Sequence, residues 1–227
     1  RITTNKIRII SRNQHMMRLD AEIINDIDNI DEEKLQNLIE KFITTEKPDV
    51  VIFEDYNKGI LTKNIITNSI SFCKKNDVPT AVDPKRKNFF SYQNATLFKP
   101  NLNEAITSLN LLPEEISAEL LADIHSQLKK KLDHEISLIT LSEKGVFFQE
   151  NNTKEILPSH RRSIADVSGA GDTVIAVASL IYAATKDIQF AAEIANIAGG
   201  IVCEEVGTVA INKEKLLSEC KRLIIGS

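Results

Sequence analysis

Asp49-Val50-Val51-Ile52-Phe53 is a short, continuous apolar run in the first quarter of the chain. A run of this kind is typical of a strand that is buried on both faces, as the strands of a parallel sheet are. Before it, residues 31–46 show the apolar periodicity of a helix, and Asp31 is expected to cap its first turn. After it, the pattern predicts a second helix over residues 62–76. A helix, a buried strand and a further helix in this order indicate an α/β fold.

The alternation of strands and helices continues to the C-terminus. Further strands are predicted at residues 79–83, 95–98 and 136–140, with a hairpin of residues 145–149 and 154–157. Further helices are predicted from Asn101 onward, at 114–133, and at 170–185, 188–205 and 212–224. This spacing predicts one domain built on a mostly parallel sheet with helices on both faces.

The first 23 residues differ from this pattern. Residues 5–12 and 15–23 are predicted to be two strands around a polar turn, Asn13-Gln14. Because charged side chains recur along them, we expect a small sheet that lies outside the main layers.

The composition is that of a globular chain. Of 227 residues 42% are hydrophobic, and 28 basic against 32 acidic residues give a net charge of −4. An acidic chain is not expected to bind nucleic acid, and no apolar stretch approaches the ~20 residues that span a bilayer. The three cysteines show neither metal-ligand spacing nor a disulfide framework, which predicts a cytoplasmic protein.

The stretch that carries chemistry is Asp166-Val167-Ser168-Gly169-Ala170-Gly171-Asp172-Thr173. A strand-like segment is expected to enter it and a helix, Val174 to Thr185, to leave it. Glycines let the backbone approach a ligand closely, and N–H groups at a helix start favour an anion such as a transferring phosphoryl group. A carboxylate beside such a group repels it unless it has a task, such as accepting a proton from an attacking hydroxyl. The alternative is that Asp172 merely stabilises the helix start through the dipole.

This stretch is neither a Walker A loop nor a dinucleotide-binding fingerprint. It resembles the phosphate-transfer motif of the ribokinase-like sugar kinases, the phosphofructokinase B family, which commonly reads Asp-Thr-x-Gly-Ala-Gly-Asp. The resemblance implies a three-layer α/β/α fold with a small β lid near residues 5–23. It also implies that Asp172 is the catalytic base and that Gly169, Ala170 and Gly171 form the anion hole.

Lys99-Pro100-Asn101-Leu102-Asn103-Glu104 resembles the family's Pro-Asn-x-x-Glu element. By itself it is equally a helix cap, with Asn101 at the cap and Glu104 three positions on. The resemblance implies that Asn101 and Glu104 organise Mg²⁺ and the nucleotide phosphates, partly through water, as suits a hard cation.

Two further segments resemble nucleotide contacts of the family. One is a turn that contains Ser142, Lys144 and Gly145. Without the resemblance, this turn is explained as the entry to a hairpin. Asn196 and Gly199 lie on a helix that flanks the adenine in the family, although small residues there also allow close helix packing. The resemblance therefore implies ATP as a substrate.

Four segments together resemble those of one branch of the family: Ser11-Arg12-Asn13-Gln14-His15, Arg18-Leu19-Asp20, Asp55-Tyr56-Asn57-Lys58-Gly59 and Asp83-Pro84-Lys85. That branch is the D-glycero-β-D-manno-heptose 7-phosphate kinases. A phosphosugar needs a cation at its phosphate and neutral polar groups along its hydroxyls. The candidate cations are Arg12, Lys58 and Lys85, and the candidate hydroxyl partners are Asn13, Gln14 and Asp55. Each of these side chains could equally be a solvated surface group.

The resemblance implies ATP-dependent phosphorylation of the anomeric hydroxyl of this heptose phosphate, a step towards ADP-heptose for lipopolysaccharide core. It also implies a homodimer formed through the lid. The alternatives are a kinase of another sugar or sugar phosphate, and a non-catalytic nucleotide- or sugar-binding protein. Because the sequence starts at Arg1, we expect residues 1–227 to be a single kinase domain that lacks its N-terminal portion.

Overall fold

The structure, a computed structural model, describes residues 2–11, 14–112, 115–160 and 162–225. The strands are β1 (Asn5–Ser11), β2 (Gln14–Ala21), β3 (Val51–Glu54), β4 (Thr80–Asp83), β5 (Leu97–Phe98), β6 (Ile136–Thr140), β7 (Val146–Glu150) and β8 (Thr153–Leu157). The α-helices are α1 (Asn29–Glu46), α2 (Lys63–Lys75), α3 (Leu102–Leu109), α4 (Ala118–Leu132), α5 (Ala170–Thr185), α6 (Ile188–Val202) and α7 (Lys213–Cys220). Short 3₁₀ turns span Arg86–Asn88 and Ser142–Lys144, and a π turn spans Lys221–Ile225.

Six strands form one mixed sheet in the order β3-β4-β5-β6-β7-β8. The first four strands of this order run parallel, and β7 and β8 extend the sheet as an antiparallel hairpin. The predicted α/β fold with a mostly parallel sheet is therefore confirmed.

Helices cover both faces of the sheet. On one face Phe53, Val82 and Phe98 pack against α2, α3 and α4. On the other face Ala81 and Leu97 pack against α5 and α6. Successive residues of a strand point to opposite faces, so the apolar runs of the sequence supply both cores at once.

Polar side chains set the helix starts. Asp28 caps α1 by accepting the N–H of Asp31, so the prediction that Asp31 is the cap was wrong. Thr62 caps α2 and Ser117 caps α4 in the same way. Among the described residues, none of the helices has both the length and the apolar character that a bilayer crossing needs.

Three predicted elements differ from the structure. None of residues 162–169 lies in a strand, so the strand-like segment predicted to enter the motif is absent, whereas α5 spans Ala170–Thr185 as predicted and the motif sits on a loop and the first helical turn. The strand predicted at 95–98 is reduced to Leu97–Phe98. Helix α6 ends at Val202, three residues before its predicted end.

The first two strands form a separate antiparallel hairpin, as predicted. Gln14 begins β2 instead of belonging to the turn. Ile7 pairs with Leu19 and Ile9 with Met17, which places four apolar side chains on one face. Each of the four is about half exposed, at 45–52%.

Candidate active site

The carboxyl ends of the parallel strands meet the N-terminus of α5, where ligands of open α/β sheets bind. Glu54 ends β3, Asp83 ends β4 and Lys99 follows β5. An atom at the Cβ position of Gly171 would lie 3.7 Å from Lys99 Nζ and 3.9 Å from Asp83 Oδ2. The first turn of α5 therefore faces a buried cation and a carboxylate.

Glycine is used at positions 169 and 171 of the motif for different structural reasons. Gly169 has φ +83°, and a Cβ there would meet Thr208 Cγ2 at 2.9 Å, so the position requires glycine. The N–H of Ala170 already donates to Val167 O at 3.3 Å. Gly171 lies in the first helical turn, where N–H groups have no acceptor within the helix and can face a ligand.

Asp166 braces the loop that carries the motif. Its Oδ1 accepts the N–H of Ser168 at 2.9 Å, and its Oδ2 accepts the N–H of Gly207 at 3.1 Å. These hydrogen bonds, that from Ser168 first, lower the pKa of Asp166. The loop is thereby tied to the connection between α6 and α7.

Three carboxylates gather at this edge of the sheet. One oxygen each of Glu54, Asp83 and Asp172 lies within 4.8 Å of the others. Loss of solvent, then the charges of Asp83 and Asp172, raise the pKa of Glu54 to about 7, although much of its side chain is exposed. Lys99 Nζ lies 3.1 Å from Asp83 Oδ2, and Lys85 Nζ lies 3.4 Å from Asp83 Oδ1. Carboxylate oxygens at this spacing fit the donors that a hard divalent cation prefers.

Asn101 and Glu104 form a capping box at the start of α3. Glu104 N–H donates to Asn101 Oδ1, and Asn101 N–H donates to Glu104 Oε2, both at 2.8 Å. Lys85 donates to Glu104 Oε1 at 2.8 Å. The helix-cap interpretation is therefore realised, and Lys85 lies between two carboxylates rather than at an open anion site.

The predicted nucleotide turn lies next to this cap. A cavity of about 500 Å³ is lined by Asn101, Glu104 and Ser142, among others. Gly145 has φ +98°, and a Cβ there would lie 2.0 Å from Leu157 O, so this glycine is needed where the turn meets the end of β8. Lys144 lies in the same 3₁₀ turn. The structure thus brings together two of the predicted nucleotide segments.

The α6 residues are already engaged in packing. Asn196 Nδ2 donates to Pro158 O at 2.9 Å. A Cβ at Gly199 would meet Val174 Cγ2 at 2.7 Å, so this glycine permits the close approach of α5 and α6. Their contact with a nucleotide stays a prediction.

The predicted sugar contacts are only partly brought together. Asp55 is 3% exposed; its Oδ2 accepts Tyr92 O–H at 2.8 Å and its Oδ1 accepts Asn57 N–H at 2.7 Å. Lys58 forms an ion pair with Glu22 at the end of the hairpin. Arg12 and Asn13 lie outside the described residues, as does the side chain of Gln14.

Residues 4–215 match the model of the pfkB family carbohydrate kinases. The chain belongs to this family. Its motif at the start of α5 and its α/β fold are those expected from the resemblance.

The chain is similar to proteins named bifunctional protein HldE. It is 37% identical over 216 residues to that of a Nitratiruptor species and 36% identical over 214 residues to that of Sulfurimonas denitrificans. The matches cover 95% and 93% of this chain but 45% and 43% of the relatives. The chain therefore spans less than half the length of the curated relatives it matches.

Two solved structures show the same fold. Phosphofructokinase-2 from Escherichia coli in complex with potassium gives a TM-score of 0.74 at 13% identity, covering 89% of this chain and 65% of that one. Ribokinase from Arabidopsis thaliana complexed with ribose and ATP gives 0.68 at 16% identity, covering 89% and 64%. At these identities the likeness concerns the fold.

Sequence reasoning assigned no role to four residues at the centre of the site: Glu54, Tyr56, Asp83 and Lys99. Each lies at or just after the carboxyl end of a parallel strand. That position could have identified them from the sequence, because the carboxyl ends of parallel strands lie along one edge of the sheet, where ligands bind.

Proposed function

We propose that the chain transfers the γ-phosphoryl group of ATP to the anomeric hydroxyl of D-glycero-β-D-manno-heptose 7-phosphate, giving the 1,7-bisphosphate. The observation that carries the proposal is Asp172 in the first turn of α5, beside Gly171 and the buried Lys99. The segments typical of the heptose kinase branch, and the relatives named HldE, support this acceptor. In this proposal residues 1–227 act as one kinase domain.

The chemistry needs one proton acceptor and fixed positive charge. Asp172 takes the proton of the sugar hydroxyl, whose oxygen forms a bond to the γ-phosphorus. The bond from that phosphorus to the bridging oxygen breaks, and ADP leaves with the electron pair. The N–H of Gly171 and the ammonium of Lys99 stabilise charge on the transferring group.

The carboxylates fit Mg²⁺ as the divalent cation. Glu54 and Asp83 would supply carboxylate oxygens at the strand ends. Asn101 and Glu104 are held in the capping box and would act through water. Bound there, the ion would neutralise charge on the nucleotide phosphates.

An acceptor panel with the purified chain, ATP and Mg²⁺ tests the proposal. Heptose 7-phosphate is expected to give the highest kcat/KM, and Asp172→Asn is expected to lower kcat by roughly 10²–10⁴-fold because the base is lost. Binding of ATP should persist in this variant.

Asp187→Asn is the matched control. Asp187 also stands at a helix start, where it caps α6, and asparagine keeps the cap. A higher kcat/KM with a hexose phosphate would reassign the acceptor. Nucleotide binding without turnover would favour a non-catalytic binding protein. Full turnover by Asp172→Asn would show that Asp172 is not the catalytic base.

We further propose that two chains pair through the hairpin. Its apolar face consists of Ile7, Ile9, Met17 and Leu19, and a lone two-stranded hairpin needs such a face covered to be stable. The double variant Ile9→Lys/Leu19→Lys should convert a dimer into a monomer in light scattering. Leu112→Lys, at an 80% exposed apolar residue elsewhere, should leave the dimer intact. A monomeric unmodified chain would refute the pairing.

A further inference from the structure

Tyr56 brings its hydroxyl to the carboxylate of Asp172, although 116 positions separate the two residues in sequence. Tyr56 Oη donates a hydrogen bond to Asp172 Oδ2 over 2.7 Å. The fold makes this contact because Tyr56 follows the carboxyl end of β3, which lies beside the start of α5.

A tyrosine hydroxyl has one proton to donate, and a donor favours the ionised form of a carboxylate while fixing its orientation. A tyrosine hydroxyl ordinarily keeps its proton throughout the neutral range, so the Tyr56 hydroxyl stays a donor there.

The charged groups around Tyr56 and Asp172 make the tyrosine hydroxyl important for holding the carboxylate. Glu54 on β3 and Asp83 at the end of β4 place acidic oxygens within 4.8 Å of Asp172. Lys99 is held by Asp83, at 3.1 Å. Like charges on two sides repel the carboxylate of Asp172, and the Tyr56 hydroxyl attracts it.

The hairpin reaches the same tyrosine. Lys6 of β1 places its Nζ 5.5 Å from the centre of the Tyr56 ring, within the range of a cation–π contact. Lys6 thus links the hairpin to Asp172 through one side chain.

We propose that Tyr56 is a positioning residue, which pins Asp172 Oδ2 so that Oδ1 faces the acceptor hydroxyl. Lys6 holds the tyrosine ring from the hairpin side. This role rests on the proposed function, in which Asp172 is the base.

Steady-state kinetics of Tyr56→Phe test the role. We expect kcat to fall by roughly ten- to a hundredfold, the range for a hydrogen bond to a charged group, while KM for ATP stays within about twofold. Lys6→Gln should lower kcat by a smaller factor. Tyr182→Phe is the matched control, because its hydroxyl also lies near a carboxylate, 3.4 Å from Glu150 Oε1, but at the C-terminal end of α5, away from Asp172.

A double-mutant cycle separates positioning from general structure. If Tyr56 acts through Asp172, Tyr56→Phe should change the residual kcat of Asp172→Asn by less than about twofold. The same loss in both backgrounds, or a kcat for Tyr56→Phe within about twofold of the unmodified chain, would overturn the proposal.

The contact can also be tested without turnover. If no acceptor is phosphorylated, the proposed function fails, but tyrosine ionisation followed by ultraviolet absorbance still reports on Tyr56. Asp172→Ala should lower the pH at which one tyrosine ionises, because the hydrogen bond to Asp172 and its charge are lost, and Asp172→Ala/Tyr56→Phe should remove that ionisation. Identical titrations of the unmodified chain and Asp172→Ala would show that the hydrogen bond is not made in solution.

Discussion

Two buried histidines meet one hydroxyl between α4 and the sheet. His125 Nδ1 lies 2.9 Å from Ser137 Oγ, and His134 Nε2 lies 2.6 Å from it. Burial, then the charge of Lys129, lowers the pKa of His125 to about 4. Burial, then the charges of His125 and Lys129, lowers the pKa of His134 to about 3. Both rings are therefore neutral in the folded protein at neutral pH.

We expect these rings to make the fold sensitive to mild acid. When unfolded, a histidine takes a proton below a pH of about 6.5, whereas in the fold it resists protonation, so stability falls as the pH falls below that value. Between pH 7 and pH 5 each ring should lower the free energy of unfolding by roughly 1–2 kcal/mol. Urea titrations at both pH values measure the loss, which should be smaller in His125→Gln.

Comparing the unmodified chain with His125→Gln removes an opposing effect of Glu54 on the free energy of unfolding. Glu54, whose pKa is raised to about 7 in the fold, adds stability as the pH falls below that value. Glu54 is present in both the unmodified chain and His125→Gln, so its contribution cancels. An equal loss of free energy in both proteins would contradict the role of His125.

At the scale of elements, one arginine fastens the last helix to the body of the protein. Arg162 donates from Nη1 to Glu204 at 3.0 Å and from Nη2 to Glu219 at 2.7 Å. Its side chain is 8% exposed, and a Cβ at Gly200 would lie 2.9 Å from its Nε. The arginine thus ties α7 and the end of α6 to the segment before the phosphate motif.

Arg162→Met should loosen α7. The change leaves two carboxylates without their shared partner, and because both are partly exposed we expect a loss of about 1–3 kcal/mol in the free energy of unfolding. Hydrogen exchange should become faster in α7 than in α2. Arg222→Met is the control, since Arg222 contacts the same Glu219 from solvent and should change neither measurement. Equal effects of both variants would contradict the fastening role.

The element scale also shows why one helix start was missed and another was predicted. Asp28 and Asp31 are both good caps by residue type, and just before Asp28 the N–H of Ile27 donates to Gly59 O, a contact that the local sequence does not reveal. Helix α5 starts at Ala170, as predicted, because Gly169 adopts the left-handed conformation just before it.

At the scale of the whole molecule, one edge of the sheet collects the chemistry while the two faces supply stability. The cores lie on both sides of the central strands, and the carboxylates stand at the strand ends between them. The hairpin lies apart from these cores and contacts the site through Lys6 and Tyr56.

The amino-acid pattern alone predicts the order of strands and helices, the mostly parallel character of the sheet and the motif around Asp172. These features are local, because apolar periodicity, glycine positions and caps act over a few residues. Its predictions for Asn101 and Glu104 also found the correct helix start.

Which side chains meet follows from the tertiary structure and not from the sequence pattern. Tyr56 reaches Asp172, and Lys99 reaches Asp83, because parallel strands bring distant segments to one edge. It likewise showed Asp55 to be buried against Tyr92. Contacts between residues far apart in the chain depend on sheet order and register, and no short stretch of sequence encodes these alone.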